Sequence, residues 1–93
     1  MRTIEWTNRF KRDFKRELEG KHGGMIDSLL SEILPVRQAD EPLADRHRDH
    51  ALTGDWAGHR DCHIRPDLVL IYEKPDDDML RLVRLGSHSE LGL

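Results

Sequence analysis

The sequence predicts a small α+β domain in which an N-terminal pair of helices packs on one face of a curved, mostly antiparallel sheet of four or five strands. Three observations predict this class. Ninety-three residues suffice for one hydrophobic core but not for two. Apolar residues recur at helical spacing before residue 35 and at strand spacing after residue 50. Short turn-forming segments separate the later apolar runs, as in antiparallel hairpins. We therefore expect residues 1–93 to form one domain.

The N-terminal quarter of the chain predicts a strand followed by a helix. Residues 2–6 alternate polar and apolar side chains, which is typical of a short strand. A helix is expected from about residue 8 to residue 19, because apolar side chains recur every four residues at Phe10, Phe14 and Leu18. The glycines between residues 20 and 24 end this helix, and Thr7 or Asn8 is the expected N-cap.

A second helix is predicted from the wide apolar stripe over residues 25–34. We expect Pro35 to end it, because proline lacks the amide hydrogen that a helix interior needs. The polar segment 36–45 is expected to be a connecting loop. The two helices are expected to form a hairpin over the sheet.

The second half of the chain predicts strands. Residues 50–52 are short and end at a turn signal, and residues 59–65 alternate in character. The run 68–72 is apolar throughout, as in a central strand that is buried on both faces. A last strand is expected over residues 79–85.

Composition excludes several classes of protein. The net charge of -3 argues against a general nucleic-acid binder, although residues 1–24 hold seven basic and four acidic residues. No apolar run approaches the roughly 18–20 residues that span a bilayer, and no stretch is typical of a signal peptide. The single cysteine, Cys62, forms no internal disulfide and fits a reducing compartment. We therefore expect a cytoplasmic protein with no membrane partner.

Histidines and charged residues at the strand ends suggest acid–base chemistry. Histidine titrates near neutral pH, and five of the six histidines follow residue 46. In an antiparallel sheet, several of these groups could meet at one end or face. A set of histidine, carboxylate and arginine suits cleavage of an RNA phosphodiester, because the substrate's own 2′-hydroxyl is the nucleophile and no metal or cofactor is required. The candidates are His50, His63, Asp67 and His88, with Arg60, Arg65 and Arg84 on the same strands.

Other interpretations of these residues stay open from the pattern alone. From residue type alone, each histidine is more often a surface or hydrogen-bonded residue than a catalyst, and Asp67 after a proline is an ordinary turn former. Trp56 is either a platform for base stacking or a core side chain. A structural zinc is a competing interpretation of the spacings His47-x-x-His50 and His59-x-x-Cys62-His63. If this segment is a strand, however, Cys62 faces away from its neighbouring histidines.

Two segments together are distinctive. Residues 49–72 are DHALTGDWAGHRDCHIRPDLVLIY, and the last strand ends in Arg-Leu-Gly-Ser-His at residues 84–88. This combination closely resembles the YafQ branch of the RelE/ParE toxin superfamily. There a block of the form DHxLxGxWxGxRDxHxxPDxxLIY precedes a strand that ends in RxGxH. The N-terminal strand and helices also fit, so the resemblance spans nearly the whole chain.

The resemblance implies a function and partners. YafQ-like proteins are toxins of bacterial type II toxin–antitoxin pairs with the RelE-like fold. They are endoribonucleases that cut mRNA in the ribosomal A site and thereby stop translation. The implied partners are the 70S ribosome with its mRNA and a cognate antitoxin of the DinJ or RelB kind. The antitoxin would cover the site or add to the sheet, and operator DNA would be bound only through it.

The resemblance also implies residue roles. The catalytic residues of the family fall on His50, His63, Asp67 and His88, its phosphate-contacting arginine falls on Arg84, and its tryptophan falls on Trp56. We expect His88 to be the general acid and Asp67, with His50, to be the base or to orient it. His63 and Arg84 are expected to hold the scissile phosphate. Arg60, Arg65 and Trp56 are expected to contact the RNA.

The chain departs from the family in two respects. The tail after His88 lacks the bulky aromatic side chain that family members often carry, and the net charge is low for a protein that cuts RNA. Two alternatives remain. A ParE-like toxin would bind and poison DNA gyrase without nuclease chemistry, and an inactive module would retain only antitoxin binding.

Overall fold

The computed structural model describes all residues from 1 to 93. It contains five strands and three helices, and two single turns of 3-10 helix at Asp45–His47 and Gly54–Trp56. In chain order the elements are β1 (Thr3–Trp6), α1 (Asn8–Leu18), α2 (Ile26–Gln38), β2 (His50–Ala51), β3 (Arg60–Arg65), β4 (Leu68–Glu73), β5 (Met79–Gly86) and α3 (His88–Leu91). The predicted α+β class is confirmed.

The five strands form one sheet in the order β1-β5-β4-β3-β2. Neighbouring strands are antiparallel except for β1, which runs parallel to the first half of β5 from Met79 to Leu82. The sequence predicts the antiparallel pairs, because their connections are short. The pairing of β1 with the last strand joins the two ends of the chain.

The two faces of the sheet are buried differently. One face carries the main core, to which α1 contributes Phe10 and α2 contributes Ile26, Leu30 and Ile33. The opposite face carries a smaller apolar cluster of Val69, Ile71, Val83 and Leu91. This second face is covered by no long helix, so polar side chains beside the small cluster remain reachable from solvent.

Helix α1 closes the edge of β5 that β1 leaves open. The Thr7 hydroxyl caps the helix by accepting from the Phe10 amide, and it donates to the Leu82 carbonyl at 2.7 Å. Further along, the Leu85 amide donates to Asp13 at 3.0 Å, and Arg16 donates to the Leu85 carbonyl at 2.8 Å. Side chains of α1 thus replace a neighbouring strand at this edge.

The prediction that Pro35 ends the second helix is wrong, because α2 continues to Gln38 with Pro35 inside it. The last turn is held by tertiary contacts. The buried Arg37 side chain donates to Asp49 at 2.6 Å, and Gln38 exchanges bonds with Arg2 through both its backbone and its side chain. These contacts offset the hydrogen bond that proline cannot make. The segment predicted as a loop therefore starts three residues later.

A short third helix follows β5 and was not predicted. Ser87 is its N-cap, and its hydroxyl accepts from the Glu90 amide while the Glu90 carboxylate accepts from the Ser87 amide. Gly92 ends the helix at a φ of 71°. Because α3 begins at His88, the capping box fixes where this histidine leaves the sheet. None of the helices has the length and apolar character that a membrane span requires.

Candidate active site

Three predicted residues meet at one end of the sheet. Asp67 lies in the β3–β4 turn and accepts two hydrogen bonds from His88, one from Nδ1 at 2.9 Å and one from the backbone amide at 3.2 Å. The ring of His63 on β3 lies 5.0 Å from the His88 ring, almost perpendicular to it. A turn, a strand and a helix N-terminus therefore place two imidazoles and a carboxylate together.

The Asp67–His88 contact determines the tautomer of His88. A carboxylate accepts hydrogen bonds, so Nδ1 carries the proton and Nε2 is the nitrogen left for a ligand. The same contact holds the pKa of Asp67 below its usual range, chiefly through the side-chain hydrogen bond from His88. Asp67 is thus a stable carboxylate that orients a histidine.

His50 lies further along the same face, beside a carboxylate that the sequence analysis did not assign. Nδ1 of His50 is 2.7 Å from the Arg48 carbonyl, and 3.0 Å from Oδ1 of Asp61, its cross-strand partner. Because the carbonyl can only accept, the Nδ1 proton points to it and Oδ1 of Asp61 is left without a donor. His50 is 53% exposed, whereas Asp61 is buried.

Burial determines how Asp61 and His63 titrate. Desolvation is the largest influence on Asp61 and raises its pKa, against the attraction of His50, His63 and His88. Desolvation also lowers the pKa of His63, and Asp61 opposes this shift. His63 is therefore neutral at pH 7 and able to accept a proton.

Asp61 is the functional candidate that the sequence reasoning missed. The alternation along β3 predicts that Asp61 shares a face with His63, and the structure confirms this, because their partners on β4 are Ile71 and Val69 of the smaller cluster. Its burial is not visible in the sequence, since it depends on the placement of β2 and β4 on either side of β3.

Arg84 lies on the same face of the sheet as Asp61, but on β5, where α1 holds its side chain. It is the cross-strand partner of Ile71, which pairs with Asp61, so the α-carbons of Arg84 and Asp61 are about 10 Å apart by strand spacing. Its guanidinium donates to Asp13 of α1 through Nε at 2.6 Å and Nη2 at 3.3 Å. Nη1 makes no hydrogen bond within the chain.

The structure separates two of the other predicted RNA contacts from this site. Arg60 lies on the helix-covered face, where it donates to Asp49 at 2.9 Å. Arg65 follows an irregularity in β3 and contacts the sulfur of Met25 at the start of α2. Trp56, in contrast, packs against the smaller cluster on the site face.

The histidines of the zinc interpretation do not converge. His47 is buried with Nδ1 2.7 Å from the His63 carbonyl, and His59 lies 3.5 Å from Glu73. Cys62 is buried in the main core, and its pKa is raised by burial. No group of three or more His, Cys, Asp or Glu side chains is arranged to hold a metal ion.

Comparison with known families gives a match over almost the whole chain. The model of the YafQ family, described as a bacterial toxin of a type II toxin–antitoxin system, matches residues 2–92. A candidate YafQ toxin of Haemophilus influenzae is 49% identical over 93 residues, covering 97% of this chain and 91% of the relative. The mRNA interferase toxin YafQ of Escherichia coli K12 is 36% identical over 90 residues, covering 97% and 95%.

Solved structures share the fold at similar coverage. A copper-bound mutant toxin from Helicobacter pylori superposes with a TM-score of 0.88 at 43% identity, covering 98% of this chain and 99% of that one. The toxin in the E. coli DinJ–YafQ toxin–antitoxin complex gives a TM-score of 0.77 at 31% identity, covering 97% and 96%.

Proposed function

The chain belongs to the YafQ family of bacterial type II toxin–antitoxin toxins, and from this premise we propose that it is an endoribonuclease that cuts mRNA on the ribosome. The observation that carries the proposal is the Asp67–His88–His63 group, in which one imidazole is oriented by a carboxylate and another is neutral and 5.0 Å away. This arrangement suits a reaction that moves one proton onto the protein and another off it.

His88 is the general acid in this proposal. Asp67 holds its Nδ1–H, which leaves Nε2 to protonate the departing 5′-oxygen. The carboxylate also stabilises the protonated imidazole before it gives up its proton. Asp67 is therefore a positioning residue in this proposal, and its lowered pKa makes it a weak base.

His63 is the general base. A neutral imidazole can take the proton from the 2′-hydroxyl, whereas it has no charge with which to hold a phosphate, the role expected from the resemblance. As the 2′-oxygen bonds to phosphorus, the bond from phosphorus to the 5′-oxygen breaks, and His88 supplies the proton that this oxygen needs. The products are a 2′,3′-cyclic phosphate and a 5′-hydroxyl end. Asp61, with His50 beside it, stabilises the positive charge that develops on His63.

The ribosome and an antitoxin are the proposed macromolecular partners. A net charge of -3 gives little affinity for free RNA, because phosphate binding is dominated by basic side chains. The ribosome would supply the missing affinity by presenting the mRNA. An antitoxin is required to protect the host, and the E. coli relative is known in such a complex.

The proposal is tested by brief expression of the protein without antitoxin, followed by primer extension on a reporter mRNA. His88→Ala is compared with Ser89→Ala, a control in the same short helix at an exposed position. We expect in-frame cuts, with a 5′-hydroxyl on the downstream fragment, for the wild type and for Ser89→Ala only.

Each other outcome overturns a defined part of the proposal. Intact mRNA in growth-arrested cells rejects the nuclease and favours gyrase poisoning of the ParE kind. Cuts that persist in His88→Ala reject its role as the acid. Equally fast cleavage of the purified reporter RNA without ribosomes rejects ribosome dependence.

A further inference from the structure

We propose that a cleft between α1 and β5 is a phosphate-binding subsite for the RNA strand that is cut, next to the catalytic groups. The cleft has a volume of about 320 Å³ and is lined only by charged residues: Arg9, Arg12, Asp13, Arg16 and Arg84. This inference rests on the proposed function and adds α1, which lies outside the signature segments, to the substrate-binding surface.

The helical spacing of α1 creates the cleft. Positions 12 and 13 lie three and four residues after position 9, and position 16 lies four and three residues after them, so all four share one side of the helix. This side faces the second half of β5, from which the Arg84 side chain extends to Asp13. Lys11 and Lys15 are exposed on α1 and do not line the cleft.

The carboxylates in and near the cleft pair with Arg84 and Arg16 but not with Arg9 or Arg12. Asp13 is buried and already accepts from Arg84, from Arg16 and from the Leu85 amide. Arg16 also pairs with Glu17 and Glu90, at 3.0 and 3.1 Å, so its charge is largely balanced.

Arg9 and Arg12 form no ion pair in the chain and are exposed. Asp13 thus fixes the arginines at the base of the cleft, while Arg9 and Arg12 at its mouth are free to bind an anion. Guanidinium groups suit this role because their planar donors match phosphate oxygens.

The cleft joins the catalytic face through two contacts. Arg84 forms its base and lies in the same cross-strand row as Asp61 and His50. The Arg9 guanidinium lies 5.9 Å from the ring centroid of Trp56, which covers part of the smaller apolar cluster. An aromatic ring beside a phosphate-binding arginine is typical of single-stranded RNA binding, in which bases stack while phosphates pair. Arg16 of the cleft also pairs with Glu90, two residues from His88, so a strand with its scissile phosphate at His63 and His88 would place another of its phosphates in the cleft.

The test measures binding separately from cleavage. The probe is a short RNA oligonucleotide methylated at every 2′-oxygen, which cannot be cut by 2′-hydroxyl attack. Fluorescence anisotropy at several salt concentrations compares the wild type with Arg9→Gln/Arg12→Gln. The control is Lys11→Gln/Lys15→Gln, which removes the same charge from the same helix. Urea unfolding verifies that both variants fold.

We expect the arginine variant to bind the probe about tenfold more weakly or worse, and the lysine variant to bind like the wild type. The slope of log affinity against log salt concentration should fall by about 0.7 for each arginine removed. Equal losses in both variants would overturn the inference, since they would reflect the charge of the helix and not the cleft.

Two further measurements separate this inference from other partners and from the proposed function. If probe binding is unchanged and the arginine variant instead loses affinity for mRNA-free ribosomes or for the antitoxin, the inference is overturned in favour of that partner. If the wild type cuts no mRNA in cells but binds the probe through Arg9 and Arg12, the phosphate-binding role of the cleft is supported and the nuclease proposal fails. If mRNA is cut and replacing Arg9 and Arg12 does not affect probe binding, the nuclease proposal is supported and the phosphate-binding role of the cleft is rejected.

Discussion

Replacement of Asp61 by asparagine should make the protein more stable and its cleavage slower. Asp61 is 2% exposed, and its Oδ1 has no hydrogen-bond donor. Leaving a buried acceptor unsatisfied costs roughly 1–3 kcal/mol, and more when the group is charged. The nearby His50 is more than half exposed, so its attraction to Asp61 offsets only about 0–1 kcal/mol of this cost. We therefore expect Asp61→Asn to raise the free energy of unfolding by about 1–2 kcal/mol at pH 8.

The gain in stability from Asp61→Asn should increase as the pH rises. Burial raises the pKa of Asp61 in the folded protein, so the folded state binds its proton more tightly than the unfolded chain does. The wild type consequently loses stability as the pH rises from the unfolded pKa of about 3.9 through the raised folded value. Asparagine does not titrate, so the Asp61→Asn variant has no such loss. The difference in unfolding free energy between the variant and the wild type should therefore grow over this pH interval and stay constant above it.

Urea unfolding at several pH values, followed by tryptophan fluorescence and circular dichroism, measures this difference. Asp67→Asn is the matched control and should show the opposite sign, because the pKa of Asp67 is lowered by His88. Single-turnover cleavage by Asp61→Asn should be slower by on the order of tenfold or more, since charge developing on His63 loses its carboxylate. A variant less stable than the wild type at pH 8, or a gain that is independent of pH, would show that Asp61 is not an unsatisfied buried carboxylate.

Three further predictions follow from other contacts. Asp13→Ala should lower the unfolding free energy by about 3 kcal/mol, because it leaves Arg84 and the Leu85 amide without their acceptor, and a loss below about 1 kcal/mol in urea titrations would contradict this. The rate of cleavage should fall on acidification with a midpoint below about 6.5, because the pKa of His63 is lowered, and a midpoint above 7 in a single-turnover pH profile would exclude His63 as the base. Cys62 is fully buried with a raised pKa, so a thiol reagent should modify it no faster than the protein unfolds, which timed labelling in native buffer and in urea would reveal.

Local patterns in the sequence predict most of the fold. Alternation along residues 59–65 places Asp61 and His63 on one face, and the stripe from Phe10 to Leu18 predicts α1 almost to the residue. Both predictions depend on side chains that are close in sequence, for which periodicity is sufficient information.

The missed helix α3 carries a local signature, the Ser87–Glu90 capping box, whereas the other errors involve contacts between distant residues. Helix α2 passes through Pro35 because Arg37 and Gln38 bind residues of other segments. The ion pair of Asp13 with Arg84 joins residues 71 positions apart, so no local pattern predicts it. The same is true of the arginine cleft, whose members look like a solvated helix face until β5 is placed beside them.

The position of β5 also determines when the protein becomes able to act. This strand follows the other four strands in the chain, yet it lies between β1 and β4 in the sheet. A nascent chain that stops before Met79 has no partner for β1, no Arg84 for Asp13 and no His88 for Asp67. Contacts of such long sequence separation form late in folding. A growing chain therefore cannot form the β1–β5 pairing or the Asp67–His88 contact until residues 79–88 have been synthesised, and we expect no cleavage activity before that point.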